Sequence, residues 1–137
     1  WDDYDGWWLA AGTGTTLAGL LLAEAPQRTV YGALAVPEDH GVAPQVDAIL
    51  QAAGHSQSTL ELIDASRGGF ARVDDTLMGF IHDSETASGL LLEPLYTGKA
   101  LLALKQAVEA GRFATGQRLV FVHTGGLQGR RGFESEA

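Results

Sequence analysis

An apolar run, Trp7-Trp8-Leu9-Ala10-Ala11, ends on Gly12-Thr13-Gly14-Thr15-Thr16, and a helix-forming run from Leu17 to Glu24 leaves that turn. A strand feeding a tight glycine turn and then a helix commits the chain to an α/β fold. A parallel strand needs such a crossover before the next strand can pair beside it. The turn also has a chemical reading. Amides at a helix N-terminus lack intrahelical partners and carry the positive end of the helix dipole, so the turn suits a phosphate, with threonine hydroxyls as further donors. A structural reading stands beside it, in which glycine merely lets strand and helix pack closely. The turn alone leaves both open.

The strand-then-helix order repeats along the chain. Residues 29–36, Thr-Val-Tyr-Gly-Ala-Leu-Ala-Val, are nearly continuously apolar, as in a central parallel strand covered on both faces. Residues 42–53 place Val46, Ile49, Leu50 and Ala53 at helical spacing, stopped by Gly54. Residues 59–64 alternate enough to predict a strand nearer an edge, and a loop, residues 66–72, follows. From Asp74 the pattern is helical again, with Leu77, Met78, Phe80 and Ile81 on one side. A short apolar run, residues 90–96, precedes Thr97-Gly98-Lys99 and a helix predicted over residues 100–109. The last strand candidate, residues 118–123, runs into Thr124-Gly125-Gly126. This order predicts a doubly wound, mostly parallel sheet with helices on both faces, whose ligands gather at the carboxyl ends of the strands. Four loops fall there: the Gly12–Thr16 turn, Gly68-Gly69-Phe70, Tyr96-Thr97-Gly98-Lys99 and His123-Thr124-Gly125-Gly126.

Composition narrows the partners. At 137 residues, 45% of them hydrophobic and 19% charged, the chain is one domain's worth of globular sequence. A net charge of −8 with only 9 basic residues argues against nucleic acid or an anionic membrane surface, so a phosphate site must rely on backbone dipoles. No apolar run approaches the roughly 18 residues of a membrane span. The absence of cysteine excludes disulfides and thiolate metal sites and fits a reducing cytoplasm. The four histidines show no metal-ligand spacing. The acidic aromatic start, Trp1-Asp2-Asp3-Tyr4-Asp5, has no signal-like pattern and reads as a chain joined partway through.

The ordered set Gly12-Thr13-Gly14-Thr15-Thr16, Gly68-Gly69-Phe70-Ala71-Arg72, Glu93-Pro94-Leu95-Tyr96-Thr97-Gly98-Lys99-Ala100 and His123-Thr124-Gly125-Gly126 resembles the C-terminal part of D-cysteine desulfhydrases and 1-aminocyclopropane-1-carboxylate deaminases. These are pyridoxal 5'-phosphate enzymes of the tryptophan-synthase-β-like fold. The resemblance implies that Gly12, Thr13, Gly14, Thr15 and Thr16 hold the cofactor phosphate. It places Tyr96 near the substrate as an acid/base or orienting hydroxyl. It puts Thr97 and Thr124 at the pyridine nitrogen, where deaminases carry a glutamate just after the tyrosine. A neutral hydroxyl there stabilises a protonated ring nitrogen less than a carboxylate does, which suits β-elimination better than opening a cyclopropane ring. Phe70, in the substrate pocket, replaces a tyrosine found in many members; if that hydroxyl moves a proton, the expectation is weak or absent desulfhydrase activity and a different substrate.

The family's Schiff-base lysine and substrate-carboxylate loop lie upstream of the phosphate turn. Here the lysines are Lys99 and Lys105, and Lys99 matches a motif lysine that is not the cofactor anchor. The expectation is therefore that residues 1–137 form the C-terminal part of the large cofactor domain of a lyase acting on a small amino acid. The N-terminal half is missing, the chain alone is inactive, and the complete protein is a homodimer. The rival reading is a non-catalytic domain binding pyridoxal phosphate or another phosphorylated small molecule. A nucleotide-binding half of the Rossmann type fits less well, because the turn lacks Gly-x-Gly-x-x-Gly spacing and no acidic residue ends the second strand.

Overall fold

The structure, a computed structural model, describes residues 4–12, 14–23, 28–36, 41–55 and 59–127. Among them β1 (Gly6–Ala11), α1 (Thr15–Ala23), β2 (Thr29–Leu34), α2 (Val42–Ala52), β3 (Leu60–Asp64), α3 (Asp75–Ser88), α4 (Thr97–Glu109) and β4 (Leu119–Val122) follow in chain order. The strands form one parallel sheet, β3-β2-β1-β4. β2 is central and β3 lies at an edge, as the two hydrophobic patterns predict.

Both faces of the inner strands are covered, which is why they are apolar without alternation. Leu9 and Ala11 of β1, with Val30 and Leu34 of β2, meet Leu17 and Leu21 of α1 and Val42, Val46 and Leu50 of α2. The intervening Trp8, Ala10, Tyr31 and Ala33 point to the other face and pack under Ala100 and Ala103 of α4. Trp8 anchors that layer by stacking on Tyr31 and donating its indole N–H to the Ala100 carbonyl at 2.8 Å. The third group, Leu77, Ile81, Leu92 and Leu102, joins α3 to α4. The expected doubly wound α/β architecture is therefore present.

Two helix starts have different causes. Asp74 accepts the Leu77 amide at 2.8 Å, an ordinary N-cap, and α3 begins where the sequence pattern places it. α4 starts at Thr97, three residues ahead of the predicted Ala100. The buried Glu93 carboxylate accepts the amides of Leu95 at 2.6 Å, Tyr96 at 2.7 Å and Thr97 at 2.6 Å, and so lets the helix begin there.

Candidate functional site

β1 leads to β2 on one side, while β4 pairs on the other. The carboxyl ends of β1 and β4 thus flank the point where strand order reverses, the place where open α/β sheets bind ligands. A cavity of about 270 Å³ lies there, lined by Ala10, Gly12, Thr16, Tyr96, Thr124, Gly125 and Gly126. This is near the small end of ligand pockets, roughly 300–1,000 Å³. Residues from three of the four predicted loops meet in it, although they are far apart in sequence.

Each wall follows from local structure. Gly12 leaves β1 against the Tyr96 ring, and a Cβ on Gly12 would stand 3.0 Å from Tyr96 Cε1. Gly14 has φ +90°, and its carbonyl accepts the Ala18 amide at 3.0 Å, so α1 starts from it and the first-turn amides precede the first intrahelical bond. Thr16 brings a hydroxyl-bearing side chain to the cavity from that turn. Opposite, His123 fixes the Thr124-Gly125-Gly126 turn. Its Nδ1 accepts the Gly125 amide at 3.0 Å and its Nε2 lies 2.7 Å from the Leu91 carbonyl, so the partners assign the proton to Nε2.

The lining contains no charged side chain. Any anion here is met by backbone amides, a helix end and the Thr16, Tyr96 and Thr124 hydroxyls. The first turn of α1 carries no acidic residue, whereas the equivalent end of α4 already holds the Glu93 carboxylate.

The other sequence-predicted residues are placed as follows. Thr15 sits exposed in the first turn of α1, and Gly14 packs against Val42 and Val46 behind the cavity wall. Thr13 lies outside the described residues. Phe70 is not in the lining, but its ring meets the Tyr96 ring edge-on at 5.3 Å. Thr97 is fully buried away from the cavity. Its hydroxyl accepts the Glu93 amide at 3.1 Å and donates towards the Glu93 carboxylate at 3.3 Å.

Glu93 and Lys99 shape the site without having been predicted to do so. Lys99 is 1% exposed, and its ammonium donates to the carbonyls of Ser66 at 2.8 Å, Gly69 at 2.9 Å and Phe70 at 2.9 Å. Burial, and secondarily the Arg67 charge, draw its pKa below the ordinary lysine value, against the opposing pull of Asp74, Glu93 and Asp64. A lysine flanked by Gly98 and Ala100 on an otherwise apolar helix start was the available signal. Lys105 lies on the outside of α4, paired with Glu109 at 3.0 Å. Among the described residues, no group of three or more His, Asp or Glu side chains is placed to hold a metal ion, and no helix is long and apolar enough to cross a membrane.

No family model matches the chain. Individual relatives do. D-cysteine desulfhydrase of Klebsiella pneumoniae is 31% identical over 127 residues, 86% of this chain and 39% of that protein. A bifunctional D-cysteine desulfhydrase/1-aminocyclopropane-1-carboxylate deaminase of Arabidopsis thaliana is 27% identical over 129 residues, 88% of this chain and 32% of that protein. A crystal structure of an ACC deaminase homologue superposes with a TM-score of 0.78 at 28% identity, covering 93% of this chain and 41% of the other. The chain thus spans well under half the length of these relatives.

Proposed function

We propose, from the premise that this chain is homologous over most of its length to the 1-aminocyclopropane-1-carboxylate deaminase and D-cysteine desulfhydrase family, that it forms the C-terminal part of a pyridoxal-phosphate-dependent lyase. The complete protein would eliminate a β-substituent from a small amino acid. The observation that carries this reading is the meeting of Gly12, Thr16, Tyr96 and Thr124 around one uncharged cavity at the β1–β4 switch point.

The cavity suits the cofactor in its donors. The amides of the Gly12–Thr16 turn and the Thr16 hydroxyl would hold the phosphate, and Thr13 and Thr15 belong to the same turn. Bound there, pyridoxal phosphate supplies an electron sink for negative charge at the substrate α-carbon. Thr124 would set a neutral hydroxyl beside the ring nitrogen. Thr97 supports the same region by engaging Glu93 and fixing the backbone on which Tyr96 is carried. Tyr96, 37% exposed, would hold or move a proton at the substrate through its phenol, and Phe70 would wall the substrate pocket through its contact with Tyr96. The Schiff-base lysine would come from the N-terminal half of the enzyme, which would work in the cytoplasm as a homodimer.

A second reading is favoured by the lysines. Neither Lys99 nor Lys105 lines the cavity, so the 137-residue chain by itself is a binding domain for pyridoxal phosphate or a similar phosphorylated ring.

Titration of the chain with pyridoxamine 5'-phosphate, whose amine does not condense with lysine, tests the shared core of both readings. Saturable binding competed by inorganic phosphate is expected. No saturation at millimolar probe would remove the cofactor from the cavity. In a protein carrying the upstream half, Tyr96→Phe should lower D-cysteine turnover while leaving the cofactor spectrum unchanged. Equal turnover would return Tyr96 to a structural role.

A further inference from the structure

The Lys99 side chain is buried, cationic and absent from the cavity, yet it is tied to the loop that faces the cavity's aromatic wall. An ammonium has three N–H donors and no acceptor. Here all three are directed at carbonyls of one short segment, Ser66, Gly69 and Phe70, at 2.8–2.9 Å. Those carbonyls turn inward because the loop passes through Arg67 at φ 56° and Gly68 at φ +93°. The left-handed conformation at a non-glycine residue costs about 1–2 kcal/mol, so an opposing interaction must hold it. Three carbonyl oxygens pointing at one spot also repel each other unless a cation sits between them.

The loop is pinned at both flanks. Asp64 accepts the Ser66 amide at 2.8 Å and the Ser66 hydroxyl at 2.6 Å. Arg67 pairs with Asp74 at 2.6 Å. Between these pins the loop makes its own turn bonds, the Ser66 carbonyl accepting the Gly69 amide at 3.3 Å and the Gly69 carbonyl the Arg72 amide at 3.1 Å, and Lys99 ties the Gly69 and Phe70 carbonyls to α4. Phe70 is the residue whose ring meets Tyr96. Lys99 and Tyr96 are three residues apart at the start of α4, so one helix end carries both the cavity hydroxyl and the cation that sets its aromatic neighbour.

We propose that Lys99 is a positioning residue for the aromatic side of the cavity: by clamping the Ser66, Gly69 and Phe70 carbonyls it holds the Phe70 ring against Tyr96 and sets where the Tyr96 phenol stands. The proposal rests on reading that cavity as the site of a phosphorylated ring. Lys99 acts on the ring end; the phosphate end is built by the Gly12–Thr16 turn, which meets the Tyr96 ring at Gly12 and starts α1 from Gly14, packed on Val42 and Val46 instead.

The test compares two probes, inorganic phosphate and pyridoxamine 5'-phosphate, on the wild-type chain and on Lys99→Met. Affinity for inorganic phosphate should stay within about twofold, affinity for pyridoxamine phosphate should fall about tenfold, and amide exchange over residues 66–72 should accelerate selectively. Loss of both affinities by a common factor, or unchanged pyridoxamine phosphate binding, would overturn the clamp. If Lys99→Met fails to fold, Phe70→Ala, which leaves the ammonium and its carbonyls in place, carries the test. It should reproduce the selective loss, and binding like wild type would overturn the role. A wild-type chain that binds neither probe refutes the cofactor reading instead, and exchange in the 66–72 loop still decides whether Lys99 holds it.

Discussion

Gly12 and Gly14 bracket the same turn and serve different neighbours. A Cβ on Gly12 would meet the Tyr96 ring at 3.0 Å, whereas a Cβ on Gly14 would meet Val46 Cγ2 at 2.9 Å in a backbone with φ +90°. The first is an encounter with a cavity wall, the second with the α1–α2 core. Gly12→Ala should therefore weaken pyridoxamine phosphate binding by about tenfold with little change in urea midpoint, and the effect should vanish in a Tyr96→Ala background. Equal losses in both backgrounds would mean that Gly12 acts on something other than Tyr96. Gly14→Val should cost about 1–3 kcal/mol of stability, measured by urea unfolding, before any ligand is added. The sequence made the strand–turn–helix junction legible, because glycines between an apolar run and a helix-forming run mark it locally. The division between the two glycines was not legible, since it depends on Val46 and Tyr96, which only the tertiary fold brings near.

Helix starts show the same limit at the next scale. Asp74 stands immediately before its helix, and its capping role follows from adjacent residues. For α4 the acceptor is Glu93, four residues ahead of Thr97 and separated from it by Pro94, so the predicted start at Ala100 was late. Glu93→Ala should cost about 3 kcal/mol or more in urea unfolding, because the buried Thr97 amide and the partly buried Leu95 and Tyr96 amides lose a charged acceptor together. Gly98→Ala separates two opposing effects. Alanine gains about 1 kcal/mol of helix propensity over glycine. Its Cβ would stand 2.6 Å from Ile81 Cδ1 and 2.7 Å from the Glu93 carbonyl oxygen, and the backbone contact leaves little room to adjust. Overpacking of about 1–3 kcal/mol should win, so a lowered urea midpoint is expected. A raised one would show that α3 yields easily. Asp74 adds a pH dependence: its hydrogen bond from Arg67, then that from the Leu77 amide, hold its carboxyl below the usual value. Its contribution is whole above the unfolded pKa of about 3.9 and fades as pH falls through the lower folded value. Asp74→Asn should flatten that acid limb of the stability profile, and an unchanged limb would assign it to other carboxyls.

The whole sheet is asymmetric at its two edges. β3 exposes Glu61 and Asp64, charges of the kind that discourage a further strand from pairing. β4, Leu119-Val120-Phe121-Val122, carries no charge, and each of its residues is only half-buried. Leu91, 47% exposed, lies beside this edge through its carbonyl contact with His123. The parallel order was legible from the alternation of apolar runs and helices, because crossover geometry leaves few alternatives. Which strands stand at the edges among the described residues was not, since strand order depends on β4 returning beside β1 rather than beyond β3. The chain spans about two fifths of the desulfhydrase and the solved homologue, and among the described residues β4 has a strand neighbour, β1, on one side only. On its own, the 14.4 kDa chain should associate through that edge, giving a sedimentation mass that rises with concentration. Val120→Lys places a charge in β4 and should restore a constant monomer mass. A wild-type chain that stays monomeric throughout would mean that β4 is a finished edge rather than an interface.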